Sequence, residues 1–301
     1  MLSVLIPELD ALLAESSRVP GRLSRLLERG AERSLQEDAF QSQLLTGQAL
    51  AAAPLTRRLD AVDDAEGIWM RADPVSFQPD LNAVWIQPQA RLSPGAALVT
   101  ELQAMFADFG LRFELPNAER GYLQLDSLPE CEFEPPWNLT GVSLEDLMPR
   151  GEGAGRWRKL LSECQILMHQ HRDRGEDVPG GLWFWGADQL PERRTIAPRV
   201  RRIVATDPVL VSLANWLGLP CESNESLESC PGDGALIEWP VRFDRSADEN
   251  LEKLDAFLKP AWRRLRLGRI EAIEISGRRR AWRTRPRDSW RFWKRRKRAV
   301  S

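Results

Sequence analysis

Histidine is nearly missing from this chain: two in 301 residues, His169 and His171. A pair of divalent ions held about 4 Å apart needs several neutralising ligands to clamp both oxygens of a transferring phosphoryl group, so an intact two-metal phosphotransfer site is not expected. The four cysteines, Cys131, Cys164, Cys221 and Cys230, form no CxxC pair, which argues against a disulfide framework and for reduced thiols. No apolar run approaches membrane-spanning length, and Met1 to Pro7 lacks a basic leader, so a cytoplasmic location is expected. Neither a Walker lysine-serine pair nor a GxSxG elbow occurs, and no internal repeat is visible.

What the chain does have is 43% apolar residues and 12 tryptophans, enough for a large core. Its net charge of −2 hides a strong segregation: residues 278–301 carry 12 Lys and Arg against the single acid Asp288, leaving 30 basic and 43 acidic residues before them. The body is thus −13 and the tail +11. Such a tail either docks on its own acidic body or meets an anionic partner.

Strand and helix patterns alternate. Ser3 to Ile6 reads as a strand, Leu9 to Ala14 as a helix, and Pro20 to Gly30 as a second helix with Leu23, Leu26 and Leu27 on one face. A third helix is expected over Leu35 to Leu45, and another from Pro94 to Gly110 capped by Ser93. Strands are expected over Gly67 to Val75, Ala83 to Ile86, Leu111 to Leu115 and Gly121 to Leu125. Residues 127–155 read as an irregular connection or small insertion. A helix from Arg156 toward the histidines, a strand at Gly181, a strand at Arg202 and a helix from Pro208 to Leu217 follow. Then come a strand at Ala235, a long helix from Asp248 to Leu267, and a hairpin joined at Gly277. This rhythm predicts a layered α/β fold with a mostly parallel sheet flanked by helices, as one domain over 1–277, followed by a basic aromatic strand and tail over 278–301.

The segment Gly181-Leu182-Trp183-Phe184-Trp185-Gly186, closing with Leu190-Pro191, predicts a buried strand whose glycines let the backbone turn tightly and approach another group. It resembles the Asn-x-Leu-Trp-Leu-Trp-Gly-x-Gly-x-x-Pro pattern of RpfE-type regulatory proteins, a bacterial family itself similar to archaeal-type cofactor-independent phosphoglycerate mutases. Trp69-Met-Arg-Ala-Asp73-Pro74, the run from Trp157 through Glu163 and Gln165 to His169, and Trp290-Arg-Phe-Trp293 are similar to further family patterns. The resemblance implies an alkaline-phosphatase-like fold. Two departures stand out: Gly181 replaces the family's Asn, and His171-Arg-Asp-Arg-Gly175 replaces a His-Pro-x-Asn run. The superfamily also places an Asp after its first strand, where this chain has Pro7-Glu8.

Candidate residues follow from these segments. Arg71 and Asp73 sit at a strand end, and with Trp183, Trp185 and Gly186 they are ligand-binding candidates for a small anion or a partner segment, in a cleft built with the preceding helix. An ion-paired or capping Asp73 is the structural alternative. His169, His171, Arg172 and Asp73 are the catalytic suspects. Cys164, His169 and His171 form a Cys-x4-His-x-His pattern, yet residues two apart on a helix point about 200° from one another, so structural histidines near a helix C-terminus are the reading adopted. Gly151-Glu-Gly153-Ala-Gly155 reads as a hinge, lacking the context of a phosphate loop. In the tail, Trp290, Trp293, Arg295 and Arg296 are binding candidates; docking on the body is preferred, with nucleic acid and anionic membrane as alternatives. No metal and no cofactor are expected. The function expected is non-catalytic regulation or binding on a degenerate mutase-like scaffold. The alternatives are an enzyme acting on a phosphorylated metabolite and a nucleic-acid-binding module using the tail.

Overall fold

The computed structural model describes residues 1–61, 66–80, 84–88, 90–93, 95–225, 227 and 230–290. By its contacts the chain divides into two compact units, 1–49 with 192–301, and 50–191.

The first unit is built on a seven-stranded sheet. Its order is Cys221–Glu222, Arg202–Val204, Ala235–Glu238, Leu2–Leu5, Ile273–Ser276, Arg280–Thr284, Ala31–Ser34. The first five are mutually parallel, and Arg280–Thr284 runs antiparallel to its neighbours on both sides. All four residues of Leu2–Leu5 are buried, as a central parallel strand covered on both faces requires. One face carries Leu2, Val4, Ile237, Ile273, Ile275 and Trp282, packed in one core with the helical Leu9, Leu23, Leu26, Leu254, Trp262 and Leu265. Leu5, Ile203 and Leu236, on the other face by alternation, are equally buried. The mostly parallel α/β architecture expected from the sequence is therefore present, including the hairpin at Gly277.

Two helices differ from expectation. The one expected over Leu35 to Leu45 is confined to Phe40–Leu45, because Ala31–Ser34 pairs antiparallel with Arg280–Arg283 and the Leu35 N–H still donates to Arg279 O. The chain therefore arrives extended. The long helix expected from Asp248 is two, Ala247–Phe257 and Lys259–Arg266, broken at Leu258. Pro260 offers no N–H to continue the first helix and fits the first turn of the second. Ser246 and Glu249 close a reciprocal capping box at the start of Ala247–Phe257.

The second unit holds a five-stranded antiparallel sheet. Ile68–Pro79 is its hub, pairing with Val84–Gln87, Arg120–Leu125 and Gly181–Asp188, while Arg112–Asn117 joins through Arg120–Leu125. Helices Ala52–Asp60 and Ala154–Asp173 both pack on Gly181–Asp188. The helix Ala52–Asp60 was not anticipated. Ala97–Asp108 forms as expected, but its N-cap is Ala96; Ser93 instead accepts the Ala96 N–H through its carbonyl. Within 127–155 the expected irregularity holds short pieces only, including Leu144–Leu147 and the pairing of Cys131–Glu132 with Arg150–Gly151. Ala83 and Pro94, expected at element ends, lie outside the described residues.

Candidate functional site

Open α/β sheets place ligands beyond the carboxyl ends of their parallel strands. At that edge of the first unit, the chain leaving Arg202–Val204 turns through Thr206 and Asp207 into the helix Pro208–Leu217. Asp207 is its N-cap, accepting the Leu210 N–H at 2.9 Å, with Pro208 in the first turn. Glu238, at the end of the neighbouring strand, lays Oε2 on the Thr206 and Asp207 N–H groups at 2.8 and 2.9 Å. Asn224, 4% exposed, joins them: its Nδ2 donates to Glu238, and Thr206 Oγ1 donates to its Oδ1. Burial and then the Glu238 charge push the Asp207 carboxyl up to about 6, against the pull of the Leu210 N–H and Gln41. Asp207, at the helix N-terminus beside Glu238, therefore keeps its proton to about pH 6.

The first parallel strand ends in acids that are also engaged. Glu8 is held by Arg278 at 2.9 Å and Asp10 by Arg280 at 2.5 Å. Both histidines belong to the second unit. Among the described residues, no group of three or more His, Cys, Asp or Glu side chains is arranged to hold a metal ion. The carboxyl-edge donors, Glu8, Asp10, Asp207 and Glu238, are already hydrogen-bonded or ion-paired and include no imidazole, which does not fit a pair of divalent cations. Elsewhere in this unit, a cleft of about 460 Å³ is lined by Arg33, Arg199, Arg283, Glu271 and Glu274 among others. Two of its guanidiniums already face acids, Arg33 on Glu274 at 3.3 Å and Arg283 on Glu271 at 2.6 Å.

In the second unit the structure brings Arg71, Asp73 and Trp185 together. Residues two apart on a strand share a face, so Trp69, Arg71 and Asp73 align. Arg71 clasps Asp73 through Nε and Nη2, both at 2.8 Å, and its Nη1 donates to Thr56 Oγ1 at 3.1 Å. The Trp185 Nε1–H donates to Asp73 Oδ2 at 2.7 Å, and the guanidinium lies over the Trp185 and Tyr122 rings. Burial pushes the Asp73 carboxyl up, while Arg71 and the Trp185 N–H pull it down. The same face continues with Arg57 stacked 3.8 Å over Trp69, and with Asp60 held by Arg120 and by the Tyr122 hydroxyl.

Trp183 and Phe184 show which way the strand faces. The Trp183 Nε1–H donates to the Glu134 carbonyl at 2.8 Å, and Trp137 packs edge-on to Trp185. Phe184 points oppositely, against Phe106 and Trp157 of the two longer helices. The preceding helix thus meets Phe184 through Trp157, on the opposite face from Trp183 and Trp185, while its Gln165 comes close to Gly181. Gly186 has φ +65° at the point where the register between Ile68–Pro79 and Gly181–Asp188 slips, a bulge that a side chain at Gly186 would strain. At Gly181 a Cβ would come within 2.6 Å of the Phe77 ring, the close approach its composition suggested.

The histidines diverge as helix geometry requires. His171 is 1% exposed, its Nδ1 at 2.8 Å from Glu176 and Nε2 at 3.2 Å from Glu101. Glu176 first, and Glu101 with it, hold its pKa above the usual value against the effect of burial. His169 is exposed beside Asp173, and Arg172 reaches the Pro179 carbonyl at 3.4 Å. Cys164, on the buried face, has its thiol pushed up by burial. The Cys-x4-His-x-His residues thus do not converge. In the tail, Trp290 closes the turn Pro286–Trp290, while Trp293, Arg295 and Arg296 lie outside the described residues.

The sequence reading missed Thr206, Asp207, Asn224 and Glu238. The Asp-Pro pair opening an apolar helix was the available signal for Asp207; nothing local marks Glu238.

Fold and site together define an open α/β protein with an antiparallel second unit and acids closed upon internal donors. No family model matches the chain. A 63-residue stretch, 19% of the chain, is 29% identical to a probable 2,3-bisphosphoglycerate-independent phosphoglycerate mutase of Geobacter sulfurreducens, of which it spans 16%. Among solved structures, the chain is similar to a cofactor-independent phosphoglycerate mutase from Thermoplasma acidophilum, at 14% identity and TM-score 0.42, covering 95% of this chain and 89% of that one. It is also similar to a Pyrococcus horikoshii protein, at 9% identity and TM-score 0.43, covering 94% and 86%.

Proposed function

We propose that this chain is a non-catalytic binding or regulatory protein of the RpfE type, derived from a phosphoglycerate-mutase-like ancestor. The carrying observation is that the acids at the carboxyl edge of the parallel sheet are bonded inside the fold, Glu238 to the Thr206 and Asp207 N–H groups, Glu8 and Asp10 to arginines. Asp73 likewise has both oxygens taken by Arg71 and Trp185, which supports a structural role for it rather than that of a base. The short stretch of identity with a probable mutase supports the ancestry. The ligand in this reading is a small anion or a partner segment, and regulation follows from its binding.

The test is to assay purified full-length protein for interconversion of phosphoglycerates with and without added manganese, alongside calorimetric titration of the metal. No turnover and no stoichiometric metal uptake are expected. Metal-dependent turnover would overturn the proposal.

A further inference from the structure

The helix Lys259–Arg266 buries Ala261, Trp262 and Leu265 in the core of the first unit. Lys259, Arg263 and Arg266 recur at i, i+4 and i+7, so they share the opposite, exposed face. Directly after it stand Leu267, 66% exposed, and exposed Arg269. From 259 to 269 there is no acid. The turn Pro286–Trp290 packs against this helix and against Gly21–Arg29, where Arg29 donates to the Ser289 carbonyl. Exposed Arg285 and Arg287 therefore join the same region of the first unit. Its one acid, Asp288, is buried and caps the Arg285 N–H. Lys259, Arg263, Arg269, Arg285 and Arg287 form no ion pair among the described residues, in contrast with Arg278, Arg280 and Arg283 of the same unit. In sequence, 291–301 holds six further Lys and Arg and no acid.

We propose that this surface docks the protein on an anionic lipid bilayer. A polyanion is demanded by charge: Lys259 and Arg263 on the helix face, with Arg269, Arg285 and Arg287 beside it, form no ion pair among the described residues, on a body otherwise strongly acidic. Leu267 selects among polyanions. An aliphatic side chain neither stacks on a base nor hydrogen-bonds to its edge, whereas at a membrane surface it enters the acyl boundary while arginines beside it hold the phosphates. The lipid surface, rather than a nucleic acid, accounts for both the apolar and the basic members of the patch. This inference does not depend on whether the carboxyl edge of the sheet is catalytic.

Co-sedimentation of the full chain with phosphatidylcholine vesicles, with and without phosphatidylglycerol, tests it. Binding only to the phosphatidylglycerol vesicles is expected, weakening as salt rises. The double variant R263A/R269A should lose about fivefold for each charge removed. Leu267→Ser should weaken vesicle binding several-fold while leaving charge unchanged. All three residues are exposed, and an unaltered circular dichroism spectrum will report an intact fold. Equal binding to neutral vesicles, absence of binding, or indifference to both variants would overturn the proposal. Tighter binding to single-stranded DNA than to the vesicles, unaffected by Leu267→Ser, would also overturn it and assign the surface to nucleic acid.

Discussion

Replacing Asp207 by Asn should stabilise the protein at pH 7 and leave it nearly unchanged at pH 4. The Asp207 carboxyl keeps its proton to about pH 6 because burial and Glu238 oppose its ionisation, whereas in the unfolded chain it ionises near 3.8. A folded value above the unfolded one contributes stability that is fully present below about pH 4 and is lost as pH rises through about 6. Two pKa units at about 1.4 kcal/mol each set an upper limit of roughly 3 kcal/mol for that loss. Asn carries no charge to repel Glu238, and its side-chain oxygen can still accept the Leu210 N–H, so the helix keeps its cap. The gain at pH 7 should therefore be about 1–3 kcal/mol. Urea denaturation of both proteins at intervals from pH 4 to 8 measures it: the two stability curves should coincide at the acid end and separate between pH 4 and 7. Parallel curves, or a variant less stable at pH 7, would show that the Asp207 proton is not what burial and Glu238 are holding.

Two further outcomes follow from the second unit. Asp73→Ala leaves the 6%-exposed Arg71 without its bidentate partner and should cost about 3–5 kcal/mol. In a double-mutant cycle with Arg71→Met, the pair should lose clearly less than the sum of the single losses; a single-variant cost under about 1 kcal/mol would put this pair with solvent-screened ion pairs instead. The His171 pKa is raised by Glu176 and Glu101, so its stabilising contribution is present below the unfolded value of 6.5 and fades as pH rises through the folded one. His171→Ala should flatten the pH dependence of stability in that range while His169→Ala, at an exposed site, leaves it in place; thermal melts at stepped pH distinguish the two.

Local pattern carried much of this architecture. The tryptophan segment is a buried strand, as a short unbroken apolar run bounded by glycines predicts, and its Gly181 approaches the Phe77 ring as its composition suggested. The opposed directions of His169 and His171 follow from helix geometry alone. The parallel character of the main sheet follows from the alternation of strands with helices.

Other features belong to tertiary structure, because they depend on which distant segments meet. Ala31–Ser34 becomes a strand only because Arg280–Arg283 offers it an edge, overriding the helical pattern that follows. No change of composition marks the passage between the two units near residues 50 and 191. Arg71 and Asp73 share a strand, but the Trp185 N–H that completes their contact comes from 112 residues away. Asp207 acquires its proton affinity from burial and from Glu238, on a neighbouring strand 31 residues on, whose own sequence surroundings give no sign of the encounter. Propensity and periodicity act over a few residues, whereas charge and burial act through space, so the elements could be read along the chain and the chemistry of the site could not.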